Sequence, residues 1–434
     1  MDATSVKQLA LLGGKAAVDL AAPTWPVVGD WEMGQMVEVV KGGKWSWLGP
    51  QEMAFCRDYA AFIGTKHCLC LANGTVTLQC ALQAVGVEPG DDVIVPGMTW
   101  VATAQAALDI GANVVFADVD RETMCLDPAS FESAITPKTR AVIPVHLYGC
   151  MCDMDEIMRI SREHGIKVVE DTAHQHGSMW RDRRAGAIGD AGSYSFQQSK
   201  ILTSGEGGAI TCDDDDIYEV CFALKQVGWR PDRESPAAPG VAPKLVPGNH
   251  YGHNYRITEM QCVLLRAGLT RLDAQNRHRE KAADRIRDGL SEMGGPLQVA
   301  RRDERVTRQV YYALTLTFDP READGLTRDQ YRAVLCAEGV SVYPPYSPVY
   351  RNPLLNLYDR TSPIPYRDSS SIQDYRKLRL PATEAAADET ALLLSHSHLL
   401  GGDDYIDQLI RGVRKVNDSL SAARDYFARQ AKRE

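Results

Sequence analysis

Between residues 66 and 213 the sequence alternates short, β-branched apolar runs with stretches of helical periodicity, and no other feature restricts the fold as much. The runs are DVIVP (92–96), NVVFADV (113–119), AVIPVHL (141–147), KVVED (167–171), SYSF (193–196) and GAITC (208–212). Strands joined by helix-length crossovers pair in parallel, so this segment predicts an α/β fold with a mostly parallel sheet. The crossover DMDEIMRISREHG is the clearest. Asp153 is placed to cap a helix with Glu156 three residues on, Met154, Ile157, Met158 and Ile160 give it an apolar face, and Gly165 stops it.

A chain of 434 residues exceeds what one core usually serves, which predicts two domains. The proline-rich stretch 230–249 reads as a long loop of the kind that often walls an active site, because GHNYRITEMQCVLLRAGL resumes a helical pattern at once. Beyond about residue 290 the pattern becomes β-like YYALTLTF (311–318), then RDQYRAVLCAEG, then amphipathic YIDQLIRGVRKV (405–416). We therefore expect an N-terminal arm and large domain over 1–290 and a smaller α+β domain over 291–434. The DDDD at 213–216 reads as a solvated turn, the charged end as a fraying helix, and no internal repeat is visible.

Composition narrows the function. A net charge of −9 argues against a nucleic-acid partner and favours small-molecule chemistry. No apolar run approaches the roughly 20 residues of a membrane span, and Lys15 and Asp19 interrupt the early apolar patch, so a cytoplasmic protein without a membrane partner is expected. The 11 cysteines are odd in number and scattered through apolar segments, as reduced core residues are. CMC (150–152) with HQH (174–176) lacks a second ligand pair at zinc-like spacing, and no metal is expected.

In open α/β sheets, ligands bind beyond the carboxyl ends of the strands. Asp171 closes KVVED there, Lys200 lies just past SYSF, and Asn73-Gly74-Thr75 opens the helical TLQCALQAVG. An amine for an aldehyde, a carboxylate for a pyridinium nitrogen and a glycine-led helix start for a phosphate are what pyridoxal 5′-phosphate (PLP) requires. The sequence has neither a dinucleotide glycine fingerprint opening a βαβ unit nor a GxxxxGK[ST] phosphate loop.

With GKWSWLG, LANGTVTLQCAL, VIVPGMTWVATAQAAL, VHLYG, VVEDTAHQHG, SFQQSKILTSGEGGAI and GHNYRITEMQ in this order, the chain resembles the DegT/StrS family of PLP-dependent aminotransferases from about Trp25 to Val416. The resemblance implies the type I aminotransferase fold. It makes Lys200 the Schiff-base lysine and Asp171 the partner of the ring nitrogen. Ala173 and Trp100 would flank the ring, His174 would bond its phenolic oxygen, and Gly74, Thr75 and Ser195 would hold the phosphate. Asn254 would reach the phosphate of a neighbouring subunit, which implies a homodimer with shared sites. Trp45 and Tyr346 are candidates for substrate contact.

SFQQSK followed by LTSGEGG is similar to members that aminate inososes in aminoglycoside-type antibiotic biosynthesis, commonly with glutamine as donor. The resemblance thus implies a glutamine- or glutamate-dependent aminotransferase for scyllo-inosose or its 2-deoxy form. The alternatives are a lyase of the 3-amino-5-hydroxybenzoate synthase type, a nucleotide keto-sugar aminotransferase, and a PLP-binding sensor without turnover. The chain departs from the family pattern at Cys56, where an acid is frequent, and at Lys225–Gly228, where an Arg-Asn-His-Gly-like stretch is usual.

Overall fold

The computed structural model describes residues 8–357 and 373–432. Its larger sheet has seven strands, β1 (His67–Leu71), β2 (Asp92–Pro96), β3 (Asn113–Ala117), β4 (Thr139–Val142), β5 (Lys167–Asp171), β6 (Ala191–Ser195) and β7 (Gly208–Cys212), in the order β1-β7-β6-β5-β4-β2-β3. Pairings from β6 through β5, β4 and β2 to β3 are parallel, whereas β7 runs against both β6 and β1. The sheet is therefore α/β and mostly parallel, as the alternation predicts.

The helices that cover or flank it are α1 (Asp30–Gly42), α2 (Pro50–Ile63), α3 (Gly74–Ala84), α4 (Ala102–Asp109), α5 (Met154–His164), α6 (Asp215–Lys225) and α7 (Glu259–Met293). In α5 the Asp153 carboxylate accepts the Glu156 N–H at 3.2 Å and Gly165 closes the helix at φ 67°, a left-handed conformation that glycine adopts without steric penalty. Asp214 caps α6 in the same way, so part of the acidic run is a helix start rather than a bare turn. The 35-residue α7 opens on a capping box between Thr258 and Gln261.

Three expectations change. The run AVIPVHL is regular only to Val142, because Pro144 has no N–H to donate to the ladder. HCLCL, not among the expected strands, is edge strand β1, with Leu69 and Leu71 packed into one core and Cys68 and Cys70 into another. The 230–249 segment contains a short hairpin, Trp229–Pro231 against Leu245–Pro247, and lines a second cavity that shares no residue with the one containing Lys200.

A second sheet of β8 (Leu297–Val299), β9 (Ala313–Phe318), β10 (Val342–Tyr343) and β11 (Ala391–Ser395) is antiparallel in the order β8-β9-β11-β10. Helices α8 (Arg328–Ala337) and α9 (Asp403–Asn417) share its apolar core with the C-terminal half of α7. The residue leading into β9, Tyr312, brings this layer to the site.

Candidate active site

The strand ends of the larger sheet open onto a cavity of about 770 Å³. Gly74, Thr75, Trp100, Asp171, Ala173, His174, Ser195, Lys200 and Tyr346 all line it. Nine of the expected residues, spread over nearly three hundred positions of sequence, thus meet in one place. Asn254 and Trp45 do not line the cavity. Asn254 is exposed and bridges to Gln226, while Trp45 is half exposed, with its indole N–H on the carbonyl of Val40 at 3.2 Å.

Asp171 ends β5 with its carboxylate turned into the cavity. It accepts the Thr103 hydroxyl at 2.9 Å and the Ala173 N–H at 3.1 Å. Burial pushes this carboxyl up, against those two hydrogen bonds and the charge of Lys200. A carboxylate in that position gains from a cation set against it, as a pyridinium N–H would be.

Lys200 is 8% exposed, and its Nζ stands 4.6 Å from the centre of the Tyr312 ring. Burial brings its pKa down to about 8, while Asp171 pulls it the other way. Among the described residues that line the cavity, Lys200 is the single lysine or arginine.

His174 stacks on Tyr312, ring centres 3.9 Å apart. Its Nδ1 accepts the Tyr148 N–H at 3.1 Å, which places the proton of the neutral ring on Nε2. Burial and the nearby Lys200 charge hold its pKa well below the usual histidine range, so Nε2 is a fixed neutral donor.

The phosphate end is built by α3. Asn73 caps it by accepting the Val76 N–H at 3.0 Å, leaving the N–H groups of Gly74 and Thr75 ahead of that bond at the cavity wall. A Cβ on Gly74 would meet the Cβ of Ser195 at 2.8 Å, so only glycine lets the helix start and the β6 hydroxyl close on one small volume. That cradle, the buried acid and the neutral histidine donor together fit PLP.

Several lining residues escaped the sequence reading. Tyr312 comes from the second sheet, and its aromatic pair before a β-like run was the available signal. Thr99 and Thr103, bonded to each other at 2.9 Å, orient Asp171. Gln197 accepts the Ser199 N–H at 2.8 Å, and Ser199 Oγ lies 3.0 Å from the Tyr312 hydroxyl. The atypical Lys225 is fully buried against Glu52 and is absent from the cavity.

The residue pattern of the DegT/DnrJ/EryC1/StrS aminotransferase family matches residues 28–400. The chain belongs to that family. This DegT/StrS aminotransferase is 36% identical to the L-glutamine:2-deoxy-scyllo-inosose aminotransferase of Streptomyces fradiae, over 95% of its own length and 98% of the relative's. It is 36% identical to the L-glutamine:scyllo-inosose aminotransferase of Streptomyces griseus, with the same coverage of each chain. The crystal structure of 3-amino-5-hydroxybenzoic acid synthase superposes with a TM-score of 0.78 at 31% identity, covering 93% of this chain and 99% of that one. The family fixes the enzyme class and the cofactor, a PLP-dependent aminotransferase of the type I fold.

Proposed function

We propose that the enzyme moves the amino group of L-glutamine to a cyclic polyhydroxy ketone, scyllo-inosose or 2-deoxy-scyllo-inosose, in aminocyclitol antibiotic biosynthesis. The near-full-length likeness to two glutamine:inosose aminotransferases carries this reading, and the cavity supports it with the hydroxyl and amide groups of Gln197, Ser199, Tyr312 and Tyr346, which line it together with Glu206.

When bound, PLP supplies an aldehyde and a ring that takes up the electron pair left by a departing Cα proton. The chain's own residues do the rest. Lys200 would offer the neutral amine that this aldehyde requires, and its Nζ would be the group that holds and moves a proton there. Asp171 would hold the proton on the ring nitrogen. His174 Nε2–H would donate to the phenolic oxygen, Gly74, Thr75 and Ser195 would hold the phosphate, and Trp100 and Ala173 would flank the ring. Tyr346 and Trp45 remain candidates for substrate contact, Trp45 from a neighbouring subunit.

We infer a homodimer with shared sites. Asn254 pairs with Gln226 beside the exposed Val227, Trp229 and Tyr251, and Arg256, two residues on, lies over the exposed Trp47; helix α1 exposes Trp31, Met33, Val37 and Val40 as well. Such exposure is ordinary for an interface and unusual for a monomer. We propose a division near residue 290, with 291–434 as the small domain; the second sheet shares a core with α8 and α9, while Val349, Tyr350, Tyr375 and Leu380 pack into the core of the larger sheet. Among the described residues no helix is long and apolar enough to cross a membrane, which supports a cytoplasmic site of action.

The test is a pair of half-reactions. PLP-loaded enzyme treated with L-glutamine should lose its cofactor absorbance, and either inosose should restore it while yielding the aminocyclitol by mass. Restoration by a nucleotide keto-sugar but by neither inosose would overturn the cyclitol reading. The likeness to 3-amino-5-hydroxybenzoic acid synthase favours a lyase as second reading. Its product would be recognised by aromatic absorbance.

A further inference from the structure

A second constellation lies away from the cofactor cavity. Along β1 the side chains alternate, so Cys68 and Cys70 leave the strand on the same face. Helix α2 packs on that face and adds Cys56. The three Sγ atoms lie within 4.8 Å of one another, Cys56 to Cys70 at 3.5 Å, and the thiol of Cys262 from α7 sits beside that of Cys70. Among the described residues this is the one group of three or more ligating side chains spaced to hold a metal ion.

The donor set is all sulfur, without imidazole or carboxylate. Hard cations such as Mg²⁺ take oxygen ligands, while thiolates select soft d¹⁰ ions. Metal–sulfur bonds of about 2.3 Å place three sulfurs roughly 3.8–4.0 Å apart, inside the spread seen here. The site has an entrance. A cavity of about 820 Å³ beneath the proline-rich 236–243 stretch has Cys56 and Cys68 in its wall.

We propose that Cys56, Cys68 and Cys70 form a thiolate site for a soft d¹⁰ cation, Cu⁺ or Zn²⁺, independent of the PLP site. Each thiol that binds releases its proton to solvent, and neither sulfur nor metal changes oxidation state. The grouping was invisible in the sequence because its third ligand comes from a helix rather than from the C-x-C run.

Reduced, chelator-treated holoenzyme would be offered Zn²⁺, or Cu⁺ without oxygen, then gel-filtered and its metal measured. Retention of about one ion of either kind per chain is expected, with sulfur neighbours at about 2.3 Å by X-ray absorption and no retention of Mg²⁺. Cys56→Ser should lower retention at least tenfold, while Cys336→Ser, which changes the exposed thiol, should leave it unchanged. Retention of neither ion, or a nitrogen and oxygen shell in the wild-type spectrum, overturns the site whether or not the variant folds. Unchanged retention in a folded Cys56→Ser protein does so as well.

Discussion

Lys200 is held between two opposing forces, of which burial is the larger. Burial favours the neutral amine, Asp171 favours the ammonium, and the balance near pH 8 leaves an appreciable neutral fraction at physiological pH. Capture of PLP by the apoenzyme should therefore quicken as pH rises through about 8 and level off above it, since the neutral form is the nucleophile. Stopped-flow absorbance from about pH 6 to pH 10 checks this. Asp171→Asn should move the inflection to lower pH by removing the group that holds the proton on, and should cut turnover roughly 10²-fold or more. Lys200→Ala should fold and leave no turnover; a borohydride-fixed adduct at another lysine would contradict the assignment. Tyr312 lies beneath Nζ and against His174. Tyr312→Phe keeps that face and should reduce kcat modestly, whereas Tyr312→Leu should reduce it about tenfold or more.

At the scale of elements, the start of α3 shows how backbone and side chain divide the work of binding a phosphate. Gly74→Ala would force a methyl against the Ser195 Cβ, prising the helix start from β6. Its PLP affinity should fall about tenfold or more, roughly 1.4 kcal/mol, with unfolding of the apo form little changed; spectrophotometric titration reads the first and thermal melting the second. Elements of this kind were legible where local chemistry dictates them. DVIVP, KVVED and GAITC are β2, β5 and β7 to the residue, and Asp153 and Gly165 bound α5 as expected. The direction of β7 was not legible, because a buried apolar run reads alike in parallel and antiparallel pairing. Nor was the placement of Tyr312, since a long-range approach of the second sheet leaves no spacing signal. The loop 230–249 was recognised as a loop, but what it covers depends on tertiary packing, and it covers the thiol-lined cavity.

The whole molecule offers the sharpest separation between a complete and an incomplete active site. Among the described residues of one chain Lys200 is the single lysine or arginine at the cavity, yet the proposed ligands carry a phosphate and an amino-acid carboxylate. Asn254 stands outside the cavity on a surface carrying exposed tryptophans, which is where a neighbouring subunit would apply it. If Asn254 serves the neighbour, Lys200→Ala chains and Asn254→Ala chains each fail alone in every site. In a hybrid dimer, one site takes both defects and the other takes none. Random exchange of an equal mixture makes half the dimers hybrid, so about a quarter of all sites become wild type. Activity should rise towards about a quarter of the wild-type value as subunits exchange. Lack of recovery after exchange has been verified by mass would show that Asn254 acts within its own chain. Full activity of a monomer, seen by sedimentation at assay concentration, would remove the shared site altogether.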